Sequence, residues 1–178
     1  MKLRYLLVVA VFIFATFPTA ASAEDKPQPQ WKTLDEGIQL AGQTGKKVLI
    51  DVYAVWCRWC KKMDAEVYGD STVIKYIHDK FIPIKMDAES EIRHQVEDSV
   101  YTEREIAKKF GVKSFPATMF IESNGVPITL FPGYHERDEF LQFLKYIAGD
   151  HFKKMKFAEY VAKQTKRKPK GSSPGTAN

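Results

Sequence analysis

The chain alternates between short continuous apolar runs and longer stretches in which apolar residues recur every three or four positions. The continuous runs are rich in β-branched residues, which is typical of strands, and they lie at 48–54, 81–86, 117–121 and 126–130. The spaced stretches predict helices at 34–43, 58–67, 71–78, 103–110 and 136–148. The first run is apolar except for Asp51, which indicates a central strand buried on both faces.

Turn residues separate these elements. Gly45 follows the first helical stretch as a C-cap signal, and Ser71 is the expected N-cap of the third helix. Asn124-Gly125 between two strand runs predicts a hairpin, and Pro127 in its second arm predicts that this arm lies at a sheet edge. The order of strands and helices predicts an α/β fold, with a central mixed sheet flanked by helices on both faces.

The sequence outlines one folded domain with polar ends. Residues 24–30 contain two prolines and predict an extended linker, and the domain itself should span 31–150. After it, 151–165 has the apolar spacing of one more helix. The last segment, 166–178, is basic and then rich in Gly, Ser and Pro, so we expect it to be disordered.

The first 23 residues have the three-part layout of a secretory signal peptide. Lys2 and Arg4 form a positive start, Tyr5 to Phe17 is almost entirely apolar, and Ala21-Ser22-Ala23 is a cleavage motif. An uncleaved membrane anchor is the alternative, but a run of about 13 apolar residues is shorter than the roughly 20 that span a bilayer. We therefore expect cleavage after Ala23 and a periplasmic or otherwise exported protein.

The formal net charge of +5 is unevenly distributed along the chain. Residues 153–178 hold eight Lys or Arg against one acidic residue, whereas 24–152 holds 17 basic and 21 acidic residues. An acidic domain in an exported protein argues against nucleic acid as a partner. The basic tail could contact anionic lipid, although such runs more often are only solvated ends.

Cys57-Arg58-Trp59-Cys60 lies where the buried strand passes into a helix. The two-residue spacer puts both sulfurs on one helical turn, close enough for a disulfide. At the helix start, unpaired backbone N–H groups and the helix dipole favour the thiolate of Cys57, and Arg58 adds a positive charge. Cys60 lies one turn inside as the less reactive thiol. This asymmetry predicts that an exposed Cys57 exchanges with substrate and that Cys60 resolves the mixed disulfide.

Three other interpretations of the cysteine pair are open: a structural disulfide, a metal site and an inert remnant. Two cysteines exclude an iron–sulfur site or a four-cysteine zinc site. The histidines show no H-x-x-x-H pairing, so we expect no metal and no cofactor. A redox pair accounts best for the position at a strand-to-helix junction.

These residues resemble the thioredoxin superfamily. Asp51 stands six residues before the first cysteine, Trp56 stands directly before it, and Phe115-Pro116-Ala117-Thr118 follows later in the chain. The resemblance covers about 31–150 and implies the thioredoxin fold. Within the superfamily the chain is most similar to secreted bacterial thioredoxin-like proteins, which resemble the C-terminal domain of the membrane-bound periplasmic disulfide reductase.

The resemblance implies roles for three further residues. Pro116 should have a cis peptide bond, face the cysteine pair and present the preceding backbone to an extended substrate, although by sequence alone it could be only a turn. Lys85, in the next strand, should lie near Asp51. Burial should raise the pKa of Asp51, which suits proton exchange with Cys60, although Asp51 could instead merely pair with Lys85.

The residues next to the pair are candidates for substrate binding. Trp56 and Trp59 would form an apolar rim for the docking of a partner, although Trp56 could be simple packing. Arg58 and Phe115 are the other two candidates for substrate binding. The dipeptide Arg58-Trp59 is neither the Gly-Pro of cytosolic thioredoxin nor the Pro-His of the strong periplasmic oxidant. The reduction potential therefore stays open within the family range of roughly −270 to −120 mV.

A polar insertion over 88–102 is a departure from the family. It makes the connection between neighbouring elements longer by roughly a dozen residues, beyond ordinary loop lengths. Ile92, Val96 and Val100 have the spacing of an added helix that would border the site. A surface insertion without function is an equal alternative.

Together these features predict an exported thiol–disulfide oxidoreductase, similar to protein-disulfide reductases, which exchanges a Cys57–Cys60 disulfide with protein substrates. Its expected partners are protein thiols and disulfides and a membrane thiol redox partner, and we expect a monomer. The subfamily resemblance favours a reductant that is fed by a membrane electron donor. The alternative is a redox-quiet binding module with a thioredoxin fold, or a copper chaperone.

Overall fold

The computed structural model describes residues 27–96 and 98–167 of the 178-residue chain. The predicted signal peptide, the first residues of the linker and the basic tail beyond 167 lie outside the described residues. The helices are α1 (Leu34–Thr44), α2 (Arg58–Met63), α3 (Ser71–Lys80), α4 (Glu103–Lys109), α5 (Arg137–Ala148) and α6 (Phe157–Arg167). The strands are β1 (Lys47–Tyr53), β2 (Phe81–Asp87), β3 (Arg93–Val96), β4 (Ser99–Thr102), β5 (Ala117–Ile121) and β6 (Pro127–Pro132). A π-helical turn, Asp64–Tyr68, continues α2.

A four-stranded mixed sheet forms the centre of the molecule, in the order β2-β1-β5-β6. β1 pairs in parallel with β2 and antiparallel with β5, and β5 pairs antiparallel with β6. The five central residues of β1 are buried, as its apolar run predicts. β6 lies at the edge, where the proline at its start was expected to place it.

Helices cover both faces of this sheet, which confirms the predicted α/β architecture. The side chains of β1 alternate between the two faces. Val48 and Ile50 pack with α1 and α4 on one face, while Leu49 packs with α2, α3 and α5 on the other. Asp51 has the same parity as Leu49 and therefore points to the face that α2 covers.

The helix ends show how short polar side chains set element boundaries. Thr33 caps α1 in a reciprocal arrangement with Glu36, and Gly45 ends the helix with a left-handed φ of 70°. The predicted N-cap of α3, Ser71, is wrong by one residue. Asp70 takes this position because its carboxylate accepts hydrogen bonds from the backbone N–H groups of both Thr72 (2.8 Å) and Val73 (3.1 Å).

The polar insertion is an antiparallel hairpin of β3 and β4, so the helix considered for 88–102 is wrong. The three residues with helical spacing are exposed: Ile92 by 62%, Val96 by 40% and Val100 by 50%. The buried side chains of this segment are instead those of Ala88, His94 and Thr102. Nδ1 of His94 lies 2.9 Å from Asp35 Oδ1 at the start of α1. Its Nε2 lies 3.5 Å from Glu103 Oε1. Polar contacts of His94 with α1 and α4 therefore hold this segment against the domain, in place of the apolar helix face that the spacing had indicated.

The end of the described chain also differs from the expectation of a helix over 151–165 and a disordered tail from 166, because α6 begins only at Phe157 and includes Lys166 and Arg167. Asp150 adopts a left-handed φ of 55°, and a short 3-10 helix, His151–Lys153, follows it. The Tyr146 hydroxyl donates to the carbonyl of Met155 (2.6 Å), which fixes this turn against α5 before α6 begins. None of the helices in the described residues is long and apolar enough to cross a membrane.

Candidate active site

Cys57 and Cys60 form a disulfide at the amino end of α2, with their Cα atoms 5.3 Å apart. Cys57 is the N-cap of this helix, and its Sγ accepts a hydrogen bond from the backbone N–H of Cys60 at 3.0 Å. The turn between β1 and α2 closes through a bond from Cys57 N–H to the Ala54 carbonyl (3.0 Å). The strand-to-helix junction therefore places both sulfurs on one turn, as the two-residue spacer predicts.

Both cysteines are buried, so the expectation of an exposed Cys57 is wrong. The exposed fraction is 3% for Cys57 and 4% for Cys60. The cause is steric, because Tyr53 and Phe115 pack against the cluster that the two cysteines form with Ala54. Phe115 comes from a distant part of the chain. The residues around the cysteines therefore do not by themselves predict that the two sulfurs are buried.

The Phe115–Pro116 peptide bond is cis, as the resemblance implies. β5 begins directly after Pro116 and runs antiparallel to β1, with Ala117 opposite Val52. The carboxyl end of β1 and the amino end of β5 therefore lie side by side at the same end of the two central strands. The proline and the disulfide lie at that end of the sheet. The Pro116 carbonyl accepts a hydrogen bond from Gly133 N–H at 2.8 Å, which ties this loop to the turn after β6.

Two exposed tryptophans flank the cysteines in sequence. The exposed fraction is 65% for Trp56 and 56% for Trp59. Trp56 is not simple packing, since its ring meets Phe115 edge to face at a centroid distance of 6.0 Å while most of it faces solvent. Its Nε1–H donates to Glu89 Oε2 at 2.9 Å. Glu89 belongs to the polar insertion, so the insertion borders the candidate site. Arg58 is exposed beside it.

Asp51 is 2% exposed, and its Oδ2 lies 3.1 Å from Lys85 Nζ, as the resemblance implies. Burial raises the pKa of Asp51 to about 6, and the neighbouring carboxylate of Asp64 adds to this, while Lys85 and a hydrogen bond from Tyr68 oppose it. Burial alone would lower the pKa of Lys85, but the carboxylates of Asp51 and Asp64 outweigh this effect, so the pKa of Lys85 is raised overall. A carboxyl group that changes its protonation near neutral pH therefore lies behind the junction that carries the cysteines.

Asp64 is a site residue that the sequence reasoning missed. Its Oδ1 contacts Lys85 Nζ, so Lys85 joins two carboxylates. The Lys85 ammonium also lies 5.0 Å from the ring centroid of Trp31 and 5.2 Å from that of Tyr53. A signal was present, because Asp64 follows Cys60 by four residues in a predicted helix, and this spacing puts both side chains on the same inward face.

The described residues contain no group of three or more His, Cys, Asp or Glu side chains arranged to hold a metal ion. The chemistry that the described side chains support is proton and thiol exchange. A disulfide at a helix start provides the sulfur that exchanges, and a buried carboxyl group with a pKa of about 6 provides a proton acceptor.

Comparison with known proteins agrees with this geometry. A model of the thioredoxin-like domain matches residues 34–148. Protein disulfide-isomerase erp38 from Neurospora crassa is 27% identical over 137 residues, which is 76% of this chain and 30% of that protein. The thiol:disulfide interchange protein DsbD from Ralstonia nicotianae is 27% identical over 118 residues, which is 65% of this chain and 18% of that protein. The chain thus spans less than a third of the length of these curated relatives.

The fold has solved counterparts. A thioredoxin-fold protein from Helicobacter pylori superimposes with a TM-score of 0.58 at 22% identity, covering 68% of this chain and 81% of that chain. At this level of identity the likeness shows the fold alone. It supports the architecture of a four-stranded mixed sheet between layers of helices.

Proposed function

The chain belongs to the thioredoxin-like domain family, and we propose that it is a thiol–disulfide oxidoreductase whose Cys57–Cys60 pair cycles between dithiol and disulfide by exchange with disulfides and thiols of other proteins. The observation that carries this proposal is the position of the disulfide, at the start of α2 and at the end of the sheet where Pro116 lies. A structural disulfide has no need of a buried carboxyl group or an exposed aromatic rim. Both are present around this one.

The first step in the reducing direction uses the thiolate of Cys57. Its Sγ attacks one sulfur of the substrate disulfide, so that a mixed disulfide forms and the second substrate sulfur leaves as a thiolate. The backbone N–H of Cys60, which points at Cys57 Sγ at 3.0 Å, stabilises the negative charge on this sulfur in the reduced protein. The exposed rim of Trp56 and Trp59 contacts the substrate chain, with Arg58 and Phe115 beside it, while Pro116 aligns its backbone.

The second step requires Cys60 to lose its proton. Asp51, with a pKa of about 6, is mostly ionised at neutral pH and accepts this proton, directly or through water. Cys60 Sγ then attacks Cys57 Sγ, the mixed disulfide breaks, and the remaining substrate sulfur leaves as a thiolate. Two electrons have passed from the cysteine pair to the substrate, and Lys85 holds Asp51 in place between steps.

We further propose that the protein is exported and that a membrane thiol protein reduces it again. The leader over 1–23 supports export, because it has the layout of a signal peptide. The similarity to a thiol:disulfide interchange protein supports exchange with a second thiol protein. In this scheme the domain spans 31–150, and α6 follows it.

Trapping of mixed disulfides tests the proposal. In Cys60→Ala the second step is blocked, so Cys57 should stay joined to its partners, which can be recovered from envelope fractions without reductant and identified. The matched control is Cys57→Ala/Cys60→Ala, which has no cysteine and should recover no partners. An absence of adducts, together with wild-type rates of insulin reduction by Cys60→Ala, would reject the proposal.

The reduction potential separates this function from the redox-quiet alternative. A value below about −300 mV would mark a structural disulfide and favour a binding module. Tight binding of copper by the reduced pair would favour a copper chaperone. A value within the range of thioredoxin-like oxidoreductases supports exchange.

A further inference from the structure

Trp59 is exposed by 56%, yet its ring has a fixed neighbour. The ring centroids of Trp59 and Tyr134 are 5.3 Å apart, at an interplanar angle of 45°. The ammonium of Lys62 lies 5.2 Å from the first centroid and 4.7 Å from the second, so one cation contacts both rings. We call these three side chains the aromatic platform.

Tyr134 is itself held from two sides. Its hydroxyl donates to Glu66 Oε2 at 2.9 Å, and burial together with Glu66 raises the pKa of Tyr134 to about 12, so the hydroxyl keeps its proton. The residue before it, Gly133, donates its N–H to the carbonyl of Pro116 at 2.8 Å. The platform is therefore tied through the backbone to the cis-proline loop beside the disulfide.

Further exposed apolar side chains flank the cysteine pair in sequence. Val55 and Trp56 are exposed by 66% and 65%, and with Trp59 they present three large apolar side chains within five residues of sequence. Several large apolar side chains exposed this close together commonly mark a contact with another molecule. Because these side chains flank the cysteines, the molecule that they contact is the chain that carries the sulfur with which Cys57 exchanges.

We infer that Tyr134 is a positioning residue which holds Trp59 in the platform, and that the platform receives an aromatic or large apolar side chain next to the substrate cysteine. This inference rests on the proposed function and names its substrate class: protein disulfides whose cysteine is flanked by such side chains. A pre-positioned ring favours binding because little side-chain freedom remains to be lost.

The test measures the first step alone. The protein carries Cys60→Ser, and its substrates are two peptides whose single cysteine is joined to thionitrobenzoate, with Trp on both sides of the cysteine in one and Ala in the other. Cys57 thiolate attacks the peptide sulfur, a Cys57–peptide disulfide forms, the bond to thionitrobenzoate breaks, and this coloured anion leaves. One S–S bond forms and one breaks, so no further oxidant or reductant is needed.

The Trp peptide should react about 3- to 10-fold faster than the Ala peptide, the size expected for one added aromatic contact. Trp59→Ala and Tyr134→Leu should both bring the ratio of the two rates to about one. Tyr134→Phe, the matched control, keeps the ring and should retain most of the ratio. The indole N–H resonance of Trp59 should shift in Tyr134→Leu, which reports the lost position without any reaction. Trp59 is exposed, so Trp59→Ala should fold even if Tyr134→Leu does not.

Three results would count against the inference. Equal rates of the two peptides in the Cys60→Ser protein would overturn the platform while leaving the proposed function in place. A ratio that survives Tyr134→Leu would overturn the role of Tyr134. Failure of both peptides to form any adduct would overturn the proposed function, and the platform with it.

Discussion

The ammonium group of Lys85 lies 3.1 Å from the carboxylate of Asp51, in a part of the protein where that carboxylate is almost completely buried. Even with this cation beside it, the pKa of Asp51 stands at about 6, compared with 3.8 for an ordinary aspartate. Desolvation therefore outweighs the ion pair. The folded protein binds a proton at Asp51 more tightly than the unfolded chain does.

This proton affinity predicts how stability changes with pH. Because the pKa of Asp51 is raised on folding, proton binding at Asp51 contributes to the free energy of unfolding. This contribution is fully present below about pH 4 and is lost as pH rises through about 6. Two pKa units correspond to about 3 kcal/mol. Asp51→Asn, which cannot ionise, should therefore be more stable than the wild type at pH 8, with a smaller loss of stability between pH 4.5 and 8. Urea unfolding of the oxidised proteins at both pH values measures this.

Asp64→Asn is the matched control, because it removes the other carboxylate on Lys85 and leaves Asp51 in place. It should keep the loss of stability between pH 4.5 and 8. If the free energy of unfolding of Asp51→Asn depended on pH as it does in the wild type, Asp51 would have the same pKa in the folded and the unfolded protein.

The same substitution should slow the second chemical step. Without a carboxylate to accept its proton, Cys60 becomes a poorer nucleophile toward the mixed disulfide. In single-turnover experiments at pH 7 we expect Asp51→Asn to slow resolution by about 10- to 100-fold, at the low end for a general base because water can also accept the proton. The attack of Cys57 should change much less. Equal rates of resolution in the two proteins would remove Asp51 from the mechanism.

Glu89 should control the position of Trp56, since it accepts the indole N–H at 2.9 Å. Glu89→Ala should raise KM for insulin about two- to threefold with little change in kcat, because the ring must be ordered on binding. Glu89→Gln keeps an acceptor oxygen and should behave as the wild type. Glu91→Ala removes a carboxylate of the same segment that pairs with Arg104, and it serves as a second control. A KM that is the same in Glu89→Ala and Glu89→Gln would contradict this role.

His94 should fasten the inserted hairpin to the domain. Its Nδ1 and Nε2 face carboxylates of Asp35 and Glu103, and its side chain is buried. His94→Ala should lower the free energy of unfolding by about 1–3 kcal/mol, since the contact with Asp35 is lost and the removal of a buried ring leaves a cavity. Hydrogen exchange should become faster at the β3 and β4 amides. Arg93→Ala, at the exposed neighbouring position, is the comparison, and equal exchange in both variants would show that other contacts hold the hairpin.

The parts of the fold that the sequence predicted are those with local causes. The strand runs, the helical spacing, the Asn124-Gly125 turn and the junction at Cys57-Cys60 each follow from residues within a few positions of one another. The edge position of β6 also followed from one residue, because Pro127 has no N–H to donate to a neighbouring strand.

The features that the sequence did not predict depend on residues far apart in the chain. The burial of Cys57 was not predicted, and it depends on Phe115, which lies 58 positions away and packs against the cluster of Ala54, Cys57 and Cys60. His94 contacts Asp35 across 59 positions, and this contact helps to hold 93–102 as a hairpin where the apolar spacing had indicated a helix. Asp64 is an intermediate case. Its position four residues after Cys60 could be read from the sequence, but its contact with Lys85 also depends on the placement of β2 beside the helix that carries Asp64.

The hairpin of β3 and β4 has a practical consequence. The segment that leads into it meets the redox centre through Glu89, whereas Val96 and Ser99 form the pair at one end of a two-stranded ladder outside the main sheet. A fluorophore or an affinity tag attached at Ser99 would leave the sulfurs and the four-stranded sheet untouched. Ser99 thus offers an attachment point for following this protein, and whatever it reacts with, inside living cells.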